Sequence, residues 1–366
     1  MGTASSALNV GIVGCGYAAE QLHLPAIRSV PSLRVVALAD SDPERVQKVG
    51  RRFGIERRYR DHQALLRDGE VEAVAVCVPP RAHAAVTLDV LDAGKHVLVE
   101  KPLCLDLDEA ERLVERARRA PVSAMVGFNL RYHRHMRAAR QAVRAGLVGP
   151  VELIRSVWSS QIRQQAGLPE WRRRRDTGGG ALIEMAVHHV DLWRFLLGSE
   201  VDEVFASSCS ETNDDQTATL CGRLRNGALA VSGFSQRATE AHEIEIHGRE
   251  GRLLASPYRF DGFELSPASM FPGDLKSRAH GVLRTLRALP SMVAIARRGG
   301  SFLEAYQTEW QHFADCVRDR ALPASSFDDG CRALEIVLAA IESTRIGQPV
   351  RVGRLRQRDA TAELPR

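Results

Sequence analysis

Lysine is nearly missing from this chain. Of its 50 cationic residues only Lys48, Lys95, Lys101 and Lys276 are lysines, so almost every positive charge is a guanidinium that keeps its proton at any working pH. A lysine in a suggestive place is therefore a candidate for proton chemistry. The seven cysteines are odd in number and scattered, with no CxxC pair, which argues against both a disulfide framework and structural zinc. No metal is expected. No apolar run approaches the roughly 18 residues of a membrane span, and Met1 to Leu8 lacks the basic start and apolar stretch of a leader. These absences point to a cytoplasmic protein with no membrane partner. Charge of one sign is not in excess either: 50 Lys plus Arg stand against 45 Asp plus Glu, so no nucleic-acid footprint is indicated. What is present is 44% hydrophobic residues over 366 positions, enough for two domains or one large one.

The first third alternates short apolar runs with helical patterns. Asn9 to Val13, Arg34 to Ala39, Glu72 to Val78, His96 to Glu100 and Val122 to Phe128 read as strands. Ala18 to Ser29, Pro43 to Phe53, Ala82 to Ala93 and Asp106 to Arg119 read as helices between them, the second opened by Asp42 as N-cap and Pro43 at the first helical position. Strands alternating with helices of this length imply a doubly wound α/β domain with a parallel sheet, residues 1–128. Beyond about residue 150 strands follow one another with little helix: Val151 to Ser159, Val201 to Ser208, Gln216 to Arg225, Ala228 to Gln236, Glu243 to Gly248 and Arg252 to Ala255. Asn226-Gly227 marks a hairpin. The second domain, 129–366, is thus expected to be α+β with a large, open, mostly antiparallel sheet. Helices are expected at Ala181 to Leu197, Phe302 to Asp319 and Asp329 to Ile346. Residues 266–300 carry Lys276, Arg278, Arg284, Arg287, Arg297 and Arg298 against Asp274 alone and read as a basic helical insertion.

After the first strand comes Gly14-Cys15-Gly16-Tyr17-Ala18-Ala19, a GxGxxA pattern that opens a helix. Gly14 permits the tight turn, Gly16 lets main-chain amides approach a pyrophosphate, and Ala19 allows close packing on the strand. Asp40 ends the second strand at the expected interval, where a carboxylate binds ribose hydroxyls and repels a 2′-phosphate. NAD is expected over NADP, although Arg45 on the next helix is placed to receive a phosphate.

Glu100-Lys101-Pro102 ends another strand at the carboxyl edge where open α/β sheets bind ligands, and a crowded Lys101 there suits acid or base work. On the helix of Gly180 to Leu197, Glu184, His188 and Asp191 form a polar stripe apart from a wide apolar face that includes His189. A carboxylate one turn before an imidazole can orient it for general acid/base catalysis. On periodicity alone an ordinary surface ion pair at His188 is equally compatible, and His189 reads as a packed core histidine.

Taken together, GIVGCGYAAEQLHLPAI, Val78-Pro79-Pro80-Arg81-Ala82-His83, AGKHVLVEKPL, GFNLRYH and GGGALIEMAVHHVDLWRFLLG resemble the Gfo/Idh/MocA family of sugar and cyclitol dehydrogenases, in order from Val10 to about Val352. The resemblance implies a Rossmann domain, then a larger domain whose open sheet supports a homodimer or homotetramer. It also implies nicotinamide near Lys101, substrate between that lysine and the stripe bearing His188, and Glu184 in place of a family aspartate. Tyr17, Ala18, Pro79, His83 and Glu100 should then lie along the cofactor and Arg131 near the substrate mouth. Trp158 suits the apolar face of a sugar, and Arg172, first of four arginines, suits a phosphate or carboxylate. The expected activity is hydride transfer between nicotinamide and a carbinol or ketone carbon of a sugar, amino sugar, cyclitol or glycoside. An NAD-dependent glycosidase and a non-catalytic NAD-binding sensor are the alternatives.

Overall fold

A computed structural model describes residues 7–161, 169–271 and 273–353, with only the main chain of Ala294. The ends of both expected domain spans, the leader reading at Met1 to Ser6, and Pro272 of the insertion lie outside the described residues. The chain forms two compact units, Met1–Tyr132 with Leu303–Leu334, and His133–Phe302 with Glu335–Arg366.

In the first unit β1 (Leu8–Val13), β2 (Leu33–Ala39), β3 (Arg57–Tyr59), β4 (Ala73–Val76), β5 (His96–Glu100) and β6 (Ala124–Gly127) pair in the order β3-β2-β1-β4-β5-β6. All pairs are parallel. This doubly wound order reverses direction at β1 and β4, and ligands bind such sheets at the carboxyl ends beside that reversal. β4 is buried along its whole length, as a strand covered on both faces must be.

The helices follow local chemistry. After α1 (Leu24–Arg28) comes α2 (Pro43–Phe53), where Asp42 accepts from the main-chain N–H of Glu44 and Arg45 and Gly54 stops the helix at φ 69°. Then come α3 (His62–Leu66), α4 (His83–Asp92) and α5 (Leu107–Arg119), the last capped by Asp106. The expected single helix at Ala18 to Ser29 is instead a π-helical turn, Ala19–His23, running into α1. Such turns carry an extra residue and occur often at functional sites. β3 and α3 were not expected; three-residue strands and five-residue helices are too short to show a period.

The second unit contains α6 (Arg134–Arg144) and α7 (Val187–Leu197), the latter preceded by a second π turn, Leu182–Ala186. Its sheet comprises β7 (Val151–Ser159), β8 (Val201–Cys209), β9 (Thr217–Leu224), β10 (Leu229–Ser235), β11 (Ala241–Gly248), β12 (Gly251–Ala255), β13 (Phe263–Pro267) and β14 (Val350–Arg351), in the order β13-β12-β11-β7-β10-β9-β8-β14. Only β7 with β10 is parallel. Along β9 exposed and buried residues alternate strictly, the mark of a sheet with one covered face. On the covered face a Cβ at Gly222 would lie 2.8 Å from the ring of Trp193 on α7. On the other face, cross-strand register aligns Phe205 with Cys221 and Val231, and Val157 with Gly233, two residues beyond Val231. Phe205, Val231, Val157 and Leu229 are all exposed.

The basic insertion starts later than the sequence suggests, because Ser266 and Pro267 close β13; its helix is α8 (Leu275–Arg297). Two further helices follow, α9 (Ser301–Asp319) and α10 (Phe327–Ile346). Segment Leu303–Leu334 belongs to the first unit, where Val126 donates its main-chain N–H to Ser325 O at 2.9 Å and Trp310 is fully buried. A buried indole removes on the order of 200 Å² from water, about 5 kcal/mol before ordering costs.

Gly14 has φ 92°, and a Cβ there would sit 2.5 Å from the carbonyl oxygen of Cys77. Gly14→Ala should destabilise the protein by about 1–3 kcal/mol, measured by urea denaturation; an unchanged midpoint would contradict the described turn.

Candidate functional site

The carboxyl ends of β1, β2, β4 and β5 gather the first group of residues. β1 runs into Gly14-Cys15-Gly16, and Gly16 O accepts the N–H of Glu20 at 2.9 Å as the π turn begins. A Cβ at Gly16 would meet nothing within 4 Å, so the main chain there is open to a close approach from outside. Tyr17 is 69% exposed beside it, Ala18 is half-buried, and Ala19 is buried as its packing role requires. Asp40 is tied to the same loop: Oδ2 accepts the Cys15 N–H at 2.7 Å and Oδ1 that of Asp42 at 2.9 Å. The guanidinium of Arg45 stands 3.5 Å from Asp40. Burial and the Asp40 charge push the Cys15 thiol up to about 12, so it stays protonated. An open glycine, a left-handed glycine and an anchored carboxylate form a cradle that fits a dinucleotide.

At the end of β5, Glu100 is 9% exposed. Burial would raise its pKa, but the hydrogen bond from His23 and the charge of Lys101 outweigh this and hold it below the usual range. His23 Nε2 lies 2.8 Å from Glu100 Oε1, and Oε2 accepts the main-chain N–H of Lys101 at 3.1 Å. Pro79 leads into a short 3-10 turn before α4. His83 is 1% exposed, with Nδ1 2.6 Å from Pro102 O and Nε2 2.9 Å from Val78 O. It joins the loops after β4 and β5, and burial lowers its pKa. Arg131 is 6% exposed and paired with Asp329 at 3.1 Å, so its guanidinium is engaged inside the first unit.

The second group lies on the helix after Gly178-Gly179-Gly180. A Cβ on Gly179 would be 2.3 Å from Arg172 O, which explains glycine there. Glu184, His188 and Asp191 are all buried, at 7%, 4% and 1% exposure. The alternative of a surface ion pair at His188 is thereby excluded. Glu184 sits in the π turn, its Oε1 3.3 Å from Arg172 Nε and its Oε2 accepting from Gln236 Nε2 at 3.1 Å. Trp158 on β7 meets the His188 ring edge-on at 5.5 Å and stacks on His242 at 4.6 Å. The arginine run is largely matched by anions: Arg172 by Glu184, Arg174 by Asp176 and Arg175 by Asp215.

Sequence reasoning missed several of these residues. Gln236, His242 and Trp310 carry no motif of their own, and His23, although it lies within the GIVGCGYAAEQLHLPAI segment, takes no role from it; only the fold brings these residues to Glu184, Trp158 and Glu100. His189 is a core histidine, as expected: 0% exposed, Nδ1 2.7 Å from Ser156 Oγ and Nε2 3.2 Å from His242 Nε2. Among the described residues no cluster of three or more His, Cys, Asp or Glu is placed to hold a metal.

Comparison with known proteins bears on the family and the fold. Residues 8–128 match the family model described as an oxidoreductase family with an NAD-binding Rossmann fold, and residues 136–254 match the GFO/IDH/MocA C-terminal domain. A dTDP-3,4-didehydro-2,6-dideoxy-alpha-D-glucose 3-reductase of Actinomadura kijaniata is 31% identical over 67% of this chain and 74% of its own. The chain belongs to the Gfo/Idh/MocA family of oxidoreductases. A myo-inositol 2-dehydrogenase of Thermotoga maritima is 29% identical over 92% of this chain and 96% of its own. The structure of a levoglucosan dehydrogenase in complex with NADH and levoglucosan shares the fold, with TM-score 0.80 at 23% identity over 95% of this chain and 100% of that one. This family member is accordingly an NAD-dependent oxidoreductase of carbinol and carbonyl carbons.

Gly16→Val should lower NAD affinity at least about tenfold while stability changes by no more than about 0.5 kcal/mol; calorimetric titration beside thermal unfolding separates the two, and unaltered affinity would contradict the cradle. The buried imidazoles set an acid limit. Burial lowers His189 and, with His135 and Arg134, His133 to about 3, and lowers His242 well below 6.5. The folded state thus binds fewer protons than the unfolded one between about 3 and 6.5. Stability should be fully present above pH 6.5 and fall by about 1.4 kcal/mol per pH unit per histidine below it. Unfolding midpoints followed from pH 7 to pH 4 check this, and a flat profile would refute it.

Proposed function

We propose that this oxidoreductase acts on a neutral sugar, amino sugar or cyclitol, with Lys101 and His188 as its proton-handling groups and Glu184 as the carboxylate behind His188. The observation that carries the reading is the buried carboxyl group of Glu100 at the carboxyl end of β5, which accepts the main-chain N–H of Lys101 and whose pKa is held below the usual range. It gives one of only four lysines an anionic neighbour at the edge where the parallel sheet binds ligands. Matched charges along Arg172, Arg174 and Arg175 favour a neutral substrate over an anionic one, and the Trp158 ring beside His188 suits a sugar face.

Gly14, Gly16, Tyr17, Ala18, Asp40 and Pro79 would hold the cofactor, with His83 joining the two loops under it. NAD, when bound, supplies the hydride acceptor. In the oxidation direction His188 takes the hydroxyl proton, and Lys101 hydrogen-bonds the same oxygen and stabilises charge on it as the carbonyl forms. Arg131 braces the first unit through Asp329.

The exposed face bearing Phe205, Leu229, Val231 and Val157 supports a homodimer or homotetramer built on the open sheet. Seven free cysteines suit a reducing cytoplasm, and no described helix is long and apolar enough to cross a membrane.

Lys101→Ala and His188→Ala should each lower kcat by about 10²- to 10⁴-fold, read as NADH formation over a panel of sugars, amino sugars and inositols; if both variants keep full turnover, the assignment is wrong. Leu229→Glu with Val231→Glu should yield monomers by analytical ultracentrifugation, and an unchanged mass would exclude the open sheet as the interface.

A further inference from the structure

The nucleotide loop and Lys101 account for only the outer part of the first unit's polar centre. Behind Glu100 lies a buried layer built from two distant pieces of chain. His23 ends the first π turn, and Tyr306, Glu309 and Trp310 come from α9. His23, Glu309 and Trp310 are each 0% exposed.

Trp310 Nε1–H donates to His23 Nδ1 at 3.0 Å. An indole nitrogen can only donate, so Nδ1 presents its lone pair and the ring proton lies on Nε2. That proton points at Glu100 Oε1, 2.8 Å away. The carboxylate draws a proton toward His23, and the indole leaves room for just one. Tyr306 and Trp310 enclose the imidazole edge-on, with ring centroids at 5.2 and 5.8 Å.

The other groups facing this layer are Cys77 beside His23, and Lys101 and His83 beside Glu100. Glu309 has no hydrogen-bond partner on either carboxyl oxygen, and burial together with the Glu100 charge keeps it protonated. Burial and the same charge keep Tyr306 protonated. Among these groups it is Glu100 that carries negative charge, and His23 is the side chain that hydrogen-bonds it.

We propose that His23, locked by Trp310, is a positioning residue for the reaction: it holds the Glu100 carboxylate in place and ionised, and Glu100 in turn keeps Lys101 charged. This rests on the reading of Lys101 as the group that serves the reacting oxygen. The required polarity is a donor toward Glu100 and an acceptor toward Trp310. Glutamine offers the same pair from one amide, and leucine offers neither.

The scarcity of lysine makes the test direct. With only four lysines, ¹³C-dimethylation of the full-length protein gives few signals, and K101R identifies that of Lys101. In H23L the Lys101 signal should titrate at least about one pH unit below wild type, with kcat at neutral pH lower by about tenfold and KM for NAD within about twofold. H23Q should restore the wild-type titration. If H23L does not fold, W310F serves: without the indole donor His23 gains a second proton, and Lys101 should again titrate lower. An unshifted Lys101 signal in H23L, or in W310F in its place, would overturn the proposal, as would H23Q behaving like H23L. The titration is read without turnover, so it stands or falls separately from the loss of activity expected for Lys101→Ala.

Discussion

Parallel pairing in the first unit is the constraint on which the rest depends. Because β1 to β6 all run the same way, each must leave the sheet at one edge, and the doubly wound order leaves a crevice there between β1 and β4. The glycine turn after β1, Asp40 after β2, Pro79 after β4 and Glu100-Lys101 after β5 are gathered by that single rule. None of them needs to be near another in sequence. The polar contacts that trim the edge, the Cys15 N–H to Asp40 and the His83 ring between the carbonyls of Val78 and Pro102, join loops that parallel pairing has already made neighbours.

Burial then decides what the collected side chains can do. Glu100 and Glu309 are both buried carboxyls in the same unit, yet they are held in opposite states. Glu100 receives the His23 N–H and the Lys101 charge and remains an anion, whereas Glu309 has neither and keeps its proton. In the second unit, burial keeps His133, His189 and His242 neutral, which lets three imidazoles share one core without repulsion. The cost is sensitivity to acid, since each histidine gains a proton on unfolding. The two π turns fit the same picture, because each places a buried polar residue of its own unit, His23 in the first and Glu184 in the second, at the widened part of a helix.

The arginines show how tertiary pairing can reverse a reading based on charge alone. Arg172 to Arg175 suggest an anion grip when seen as a run. In the fold Arg172, Arg174 and Arg175 each face a different carboxylate, brought in from the π turn, from two residues on and from the loop before β9. A run of cations whose partners are already supplied is weak evidence for an anionic ligand. Arg131 tells the same story, being paired with Asp329, which lies 198 residues away in sequence.

By itself the sequence determined whatever depends on local period and local chemistry. It placed α2 to the residue, through Asp42, Pro43 and Gly54. Apart from the short β3, β13 and β14, which it did not show, it placed the strands of both sheets within a few residues, the glycine cradle, and Lys101 at a strand end, because hydrophobic alternation, caps and φ-demanding glycines act over a few positions. Only the tertiary structure decided that Leu303–Leu334 belongs to the first unit, that the stripe of Glu184, His188 and Asp191 is buried, and that His23 stands between Glu100 and Trp310. Those facts rest on contacts between residues tens to hundreds of positions apart. Hydrogen-bond partners and desolvation have no sequence period, so they become visible only once the chain has closed around them.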